Sequence, residues 1–318
     1  MKKKIFLIIF STLIFASGYA FNSYSLFKIN GLYGIIDNQM NIKVPAEYKY
    51  IAYVGDGFFC EKEEMNCDIY NSSLQKVYSS NYMMYRYGYD SKIYFKDKSM
   101  NECIYDIHTG KRTKKVENTF YSKSYFFNHK KGLVIEKNTD SFSYSIGDDE
   151  GRIIASNIDQ GALFYSEGLM AVIFYDGRSG FVDETGKLVI NTSFYIYPED
   201  LKAPRKEPSL YYSFNENLAI VRQNENTWKI FDKNGNDRDI PNDIKLESNR
   251  FSTGLTVVSK NVSGQKLYGY MSKDMIIEIP CEFDNAENFR GQYACVVYKG
   301  NDGIIDTKGN IYLCKDLK

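Results

Sequence analysis

Residues able to carry chemistry are few and scattered. Only two histidines occur, His108 and His129, and neither lies in a recurring motif, so imidazole-based acid–base or metal catalysis has little to work with. The cysteines, Cys60, Cys67, Cys103, Cys281, Cys295 and Cys314, form no CxxC pair and no Cys/His cluster at zinc spacing. No G-x-x-x-x-G-K-[ST], G-x-S-x-G or H-E-x-x-H stretch is present. The acidic run Asp148, Asp149 and Glu150 falls at an expected turn and reads as solvated. "DKNGND" at 232–237 gathers oxygen ligands around a glycine, yet it lacks the ligand spacing and terminal Glu of an EF-hand, and a turn accounts for the same residues. Carboxylates assembled by the fold are the one catalytic route left open, as in a glycosidase or lyase. No catalytic, metal-binding or cofactor-binding residue is assigned, and no cofactor is expected.

What recurs instead is a strand-and-turn signature. GIID at 34–37 is followed by DIYN at 68–71, CIYD at 103–106, SIGD at 145–148, GFVD at 180–183, KIFD at 229–232, GYMS at 269–272 and GIID at 303–306. The final positions are Asp37, Asn71, Asp106, Asp148, Asp183, Asp232, Ser272 and Asp306, spaced by 34, 35, 42, 35, 49, 40 and 34 residues. Eight weak matches at a near-constant period mark a repeat more strongly than any one of them. Three residues beyond the acid stands Gly151, Gly186, Gly235 or Gly309. Asp-x-x-Gly between apolar runs is a tight turn, with the carboxylate bonding nearby backbone and glycine accepting positive φ.

The flanks keep phase. Pro45, Pro241 and Pro280 follow the turns after an aliphatic residue, and "FYSEGLMAVIF", "FSTGLTVVSK" and "FRGQYACVVYK" precede the aromatic-glycine strands. No window shows a sustained helical period with caps. The chain therefore reads as all-β, about eight units of three to four short strands whose apolar stripes form the core. Such units must stack to bury both faces. A β-propeller-like closure leaves few exposed edges, and an open β-solenoid is the alternative. The chain starts inside a unit and stops inside one, so its first and last segments could complete one blade together.

These residues resemble the bacterial WG-repeat proteins. The nearest copy is "SEGLMAVIFYDGRSGFVDETGKLVI" at 166–190, with Ser179 in the aromatic slot. Tyr33-Gly34 and Tyr268-Gly269 keep the aromatic-glycine pair with Tyr for Trp, while Trp228-Lys229 keeps the Trp and loses the glycine. The copies ending at Asn71, Asp106 and Asp148 rest on spacing. The resemblance implies a β-repeat scaffold and no particular reaction.

Residues 1–20 have another character. Lys2, Lys3 and Lys4 precede an apolar run and then the small-residue stretch ending at Ala20, the layout of a secretory signal peptide. Cleavage there leaves residues 21–318 as a single repeat domain with no membrane-spanning segment. Removing three of 40 basic residues leaves 37 against 40 acidic ones, a net charge of −3 that advertises no nucleic-acid partner. An exported chain, placed in the periplasm, at the cell surface or secreted, permits up to three disulfides, with Cys60 and Cys67 flanking one hairpin tip.

Two insertions interrupt the period. Residues 195–212 hold Tyr195, Tyr197, Arg205, Lys206, Tyr211 and Tyr212 around Pro198, Pro204 and Pro208, half of all the prolines. Residues 111–131 are basic and aromatic, with Lys111, Arg112, Lys114, Lys115, Phe126 and Phe127. Insertions in repeat proteins emerge as loops on one rim, often the binding face. The plainer readings are favoured for both, a disordered decoration for the first and an edge strand protected by lysine for the second. The expected function is that of a monomeric, non-enzymatic scaffold holding a protein or cell-envelope polymer through these loops. An envelope glycan hydrolase or lyase with a central carboxylate site is the alternative.

Overall fold

The recurring acid marks the end of one strand in every repeat. The computed structural model describes residues 23–54, 57–62, 66–87, 92–97, 102–114, 132–137, 142–148, 152–162, 165–195 and 212–317. Among them the regular structure is β-strand, apart from a short 3-10 turn at Cys314–Asp316. The chain forms two compact units, a smaller one built on Tyr48–Val116 and a larger one of Phe21–Glu47 with Glu117–Lys318.

The first copy, in the larger unit as far as Glu47, is a three-stranded sheet of β1 (Tyr24–Ile29), β2 (Leu32–Asp37) and β3 (Ile42–Tyr48). The smaller unit carries β4 (Tyr50–Val54), β5 (Gly57–Glu61), β6 (Asn66–Tyr70), β7 (Lys76–Tyr87), β8 (Lys92–Asp97), β9 (Glu102–Asp106) and β10 (Arg112–Lys114) in one sheet of seven. That sheet is two copies joined by β7, whose residues 76–81 pair with β6 and whose residues 82–87 pair with β8.

The larger unit resumes with a six-stranded sheet of β11 (Gly132–Lys137), β12 (Phe142–Gly147), β13 (Ile153–Gly161), β14 (Leu169–Phe174), β15 (Ser179–Asp183) and β16 (Leu188–Asn191), where β13 is shared in the same way. Three four-stranded copies follow. The sixth is β17 (Phe214–Asn215), β18 (Leu218–Arg222), β19 (Trp228–Asp232) and β20 (Asp237–Arg238). The seventh is β21 (Lys245–Leu246), β22 (Leu255–Val262), β23 (Gln265–Ser272) and β24 (Ile277–Phe283), and the eighth is β25 (Asn285–Ala286), β26 (Tyr293–Tyr298), β27 (Asn301–Asp306) and β28 (Ile311–Leu313). The all-β repeat expected from spacing is what the structure shows.

Burial follows strand position. The second strand of a copy, such as β14, β18 or β26, is buried almost continuously because sheets cover both faces. The outer strands β3 and β24 share one alternating pattern, burying Val44 and Tyr48 or Ile279 and Phe283 while Pro45 and Pro280 face out. Between copies the core is aromatic: Phe181 meets Phe194 and Phe214 with ring centroids 5.4 and 4.8 Å apart. Phe27 and Ile36 of the first copy share a core with Tyr293, Ile304 and Cys314 of the eighth. The first and last repeats are thus packed together inside the larger unit.

Two expectations are corrected. The first and last segments do not complete one sheet, since β1–β3 and β25–β28 are separate and meet through side chains. Cys60 and Cys67 do not bridge either: Cys60 lies opposite Asp68 and Cys67 opposite Glu61, so neighbouring pleats send them to opposite faces. Among the described residues no disulfide joins the cysteines.

Candidate functional site

Each sheet has two ends. Its strands alternate in direction, so the acid turns share an end with the turns between first and second strands. The hairpins between second and third strands share the opposite end with the connections leading to the next copy.

The acid end is structural. Asp37 Oδ1 accepts the backbone N–H of Gln39 and Asn41, each at 2.9 Å. Asn71, Asp183, Asp232 and Asp306 repeat this two-bond cap, Asp148 bonds the N–H of Arg152, and Asp106 that of Thr109. Burial opposes the charge of Asp37, yet the Asn41 amide, Lys43 and two backbone N–H groups hold its carboxyl well below the usual range. Thr185 and Asn236, with backbone donors, lower Asp183 and Asp232 in the same direction. The second carboxylate oxygen of Asp232 takes the Asn236 amide at 2.9 Å, so "DKNGND" folds as a turn around both oxygens of Asp232. Gly186, Gly235 and Gly309 have φ of 82°, 82° and 89°; Gly151 lies outside the described residues.

The same end fastens copy to copy. Ser166 Oγ donates to Phe214 O at 2.5 Å and Ser252 Oγ to Phe289 O at 2.8 Å. Glu167 accepts the N–H of Asn217 and Glu216 that of Gly254, at 2.9 and 2.8 Å. A turn lysine reaches back to each carboxylate, Lys233 to Glu167 and Lys273 to Glu216. The "SEGL" motif is therefore a clasp between repeats.

The hairpin end carries different residues. Beyond β16 the chain runs to Tyr195, whose N–H donates to Arg222 O at 2.8 Å. Buried Tyr212 donates its hydroxyl to Tyr195 O at 3.0 Å, tying the two ends of the insertion together, and stacks on Phe194 at 4.9 Å. The Arg222 guanidinium lies 4.6 Å from the Tyr195 ring and 5.6 Å from that of Trp228, its cross-strand partner and the only tryptophan of the chain. Its Nη2 donates to Glu225 O at 2.7 Å, which fixes the guanidinium.

Neighbouring hairpins repeat the pairing of cation with ring. Arg178 covers Phe174 at 4.9 Å, Lys266 covers Tyr268 at 4.9 Å, Lys299 covers Tyr298 at 4.8 Å and Lys28 covers Tyr33 at 4.5 Å. Carboxylates balance several of these cations: Asp176 meets Arg178, Glu247 meets Lys266 and Glu287 meets Lys28 at 2.8, 2.8 and 2.9 Å. Burial, with the Glu287 charge, pushes the Tyr33 hydroxyl up to about 12.

In the smaller unit the structure shows a cluster that sequence reasoning missed. Asp68, 5% exposed, accepts from the Tyr48 hydroxyl at 2.8 Å and Ser79 Oγ at 2.5 Å, and Lys62 and Lys76 approach it at 3.1 and 3.0 Å. Tyr48 and Tyr70 share a hydrogen bond of 2.7 Å. Burial opposes the Asp68 charge, but Ser79, Lys76, Tyr48 and Lys62 hold its carboxyl far below the usual range. Cys60 faces Asp68, and burial raises its thiol well above the ordinary value, which makes it a poor nucleophile. A signal was present in the sequence: Asp68 occupies the position held by Gly34, Gly180, Gly269 and Gly303 in other copies. At Gly34, Gly180 and Gly269 an added Cβ would lie 2.6, 1.9 and 2.6 Å from a fourth-strand carbonyl oxygen.

Of the insertion residues, Tyr195 and Tyr212 come together, while Tyr197, Arg205, Lys206 and Tyr211 lie outside the described residues. Lys111, Arg112 and Lys114 belong to the Asp106 turn and to β10, so the second insertion begins after Lys114. As the terminal strand of its sheet, β10 suits the edge-protecting reading of those cations. Lys115, Phe126, Phe127 and residues 1–20 are outside the described residues. Both insertions leave a fourth strand for the next copy, which is the hairpin end.

Residues 33–60 and 268–301 match the family model described as WG containing repeat. Each match runs from the third strand of one sheet to the second strand, or its hairpin, in the next, so the repeated unit of sequence straddles a sheet boundary. No curated protein matches the chain. Among solved structures, the computationally designed Ika8 protein is similar with a TM-score of 0.38 at 11% identity, covering 95% of this chain and 98% of its own. BamB from Moraxella catarrhalis is similar at 0.39 and 9% identity, with 95% and 93% covered. The C-terminal WD40 domain of Sif2 is similar at 0.43 and 9% identity, with 88% and 91% covered.

Proposed function

We propose that the protein is an exported, non-enzymatic β-repeat scaffold that holds a protein or cell-envelope polymer at the hairpin ends of its sheets. The observation that carries this reading is the division of labour between the two ends. Turn carboxylates at the acid end are committed to backbone caps and clasps between copies. The hairpin end presents half-exposed Tyr, Trp, Lys and Arg, and both insertions leave from it. A glycan hydrolase would need paired, accessible carboxylates, and the capped turn acids are withdrawn from that role. Export rests on the leader-like residues 1–20.

The Tyr212–Tyr195 bond closes the base of the first insertion, so residues 196–211 can be replaced by a short linker without opening β16 or β17. We expect that variant to keep its melting temperature and to lose capture of its partner from envelope extract. Capture at the parent level would remove this loop from the function.

A further inference from the structure

We infer that the hairpin ends of the fifth to eighth copies and the first copy form one docking band for another protein, with Arg222 as its anchor. This rests on the scaffold reading and names its partner class. The bonds that clasp acid end to acid end run from the fifth copy to the sixth, the sixth to the seventh and the seventh to the eighth. From the eighth they pass to the first, where the N–H groups of Gln292 and Tyr293 donate to Ser25 Oγ at 3.0 and 3.3 Å. Sheets aligned at one end are aligned at the other, so five hairpins stand side by side within the larger unit. Each carries a cation laid on an aromatic ring.

The chemistry selects among partners. A polyanion would want uncompensated positive charge, whereas Asp176, Glu247 and Glu287 neutralise three of the five cations. A sugar would stack on a bare ring face, and here a cation lies over a ring on every hairpin. Tyr, Trp and Arg in charge-balanced surroundings are the residues that anchor protein–protein contacts. Pinning each long cation on a ring also lowers the side-chain entropy lost when a partner covers it. Tyr175, 53% exposed on the fifth hairpin, offers the most accessible ring of the band.

The test places a photo-crosslinking amino acid, p-benzoylphenylalanine, in the full chain within the cells that produce it. Tyr175 and Asn226 sample the band; Asn234 and Lys308 sample the acid end. One protein adduct is expected, of the same mass from both band positions and at least about tenfold stronger than from the acid end. Adding Arg222→Ala or Arg222→Lys should weaken the Tyr175 adduct about tenfold or more, as loss of a hot spot does, with the melting temperature held. Tyr175→Ala, at an exposed position that cannot unfold the sheet, should weaken the Asn226 adduct. Equal adducts from both ends would overturn the band while leaving a scaffold. Absence of any protein adduct, or an adduct of twice the chain's mass, would overturn the partner class.

Discussion

At the residue scale, one conformation recurs with different side chains. The position three beyond the turn acid takes positive φ in every described copy with this turn length, as glycine at 186, 235 and 309 and as Met40, Leu74 and Met275 at 63°, 57° and 61°. Leu74 is only half-buried, so Leu74→Gly should raise stability by about 0.5 kcal/mol by relieving the left-handed strain, seen as a higher Tm. Gly309 has room for a methyl group, its nearest neighbour standing 3.9 Å away. Gly309→Ala should therefore cost only the conformational term, about 1 kcal/mol. Gly180→Ala meets Ile190 O at 1.9 Å and should cost about 3 kcal/mol. The Asp-x-x-Gly turn was legible because glycine and the acid advertise their geometry. Met40 and Leu74 conceal the same geometry behind ordinary side chains.

Asp68 belongs to this scale too. Its folded carboxyl lies below the unfolded value, so its stabilisation is complete above about pH 4 and is lost as pH falls through the folded pKa. Asp68→Asn should cost about 3 kcal/mol at pH 7 by leaving Lys62 and Lys76 without their counter-charge. It should also flatten the acid limb of the stability–pH curve, measured by urea unfolding between pH 7 and 3. An unchanged acid limb would assign that limb to other carboxylates.

At the scale of the element, sequence period and sheet boundary do not coincide. The chain passes from the fourth strand of one copy directly into the first strand of the next, without a break at β7 and β13. Spacing could count the copies, because the acid turn punctuates each one. It could not show one strand serving two copies, because nothing in β7 interrupts its strand-forming residues. It also placed residues 111–114 in an insertion when they close a hairpin on β9. The clasps between copies predict unequal costs. Glu216→Ala leaves the Gly254 N–H without its acceptor and should cost about 1 kcal/mol. Lys273→Ala removes only a partly exposed ion pair and should cost about 0.5 kcal/mol or less, both read from chemical unfolding.

At the scale of the whole molecule, the contact between first and last repeats inside the larger unit is the feature with most leverage. Lys28 and Tyr33 of the first copy converge on Glu287 Oε1 of the eighth at 2.9 and 2.8 Å. Glu287→Ala should cost about 2 kcal/mol and speed amide exchange in β1 before exchange in β22. Tyr33 is raised to about 12 and Lys28 is raised as well, so this contact is fully present below about pH 10 and is lost as pH rises beyond it. Sequence suggested meeting ends from the offset of first and last units. It could not show that they meet as two sheets, because side-chain contacts 259 residues apart leave no local pattern. Under the proposed function the acid end builds the scaffold and the hairpin end uses it. The most direct measurement sets Tm beside partner capture for alanine variants of both ends, Tyr175, Arg222 and Asn226 against Asp183, Asp232 and Gly186. The first set should lower capture at constant Tm, and the second should lower Tm while the folded fraction still captures. Lost capture from folded acid-end variants, with full capture by the hairpin set, would contradict it.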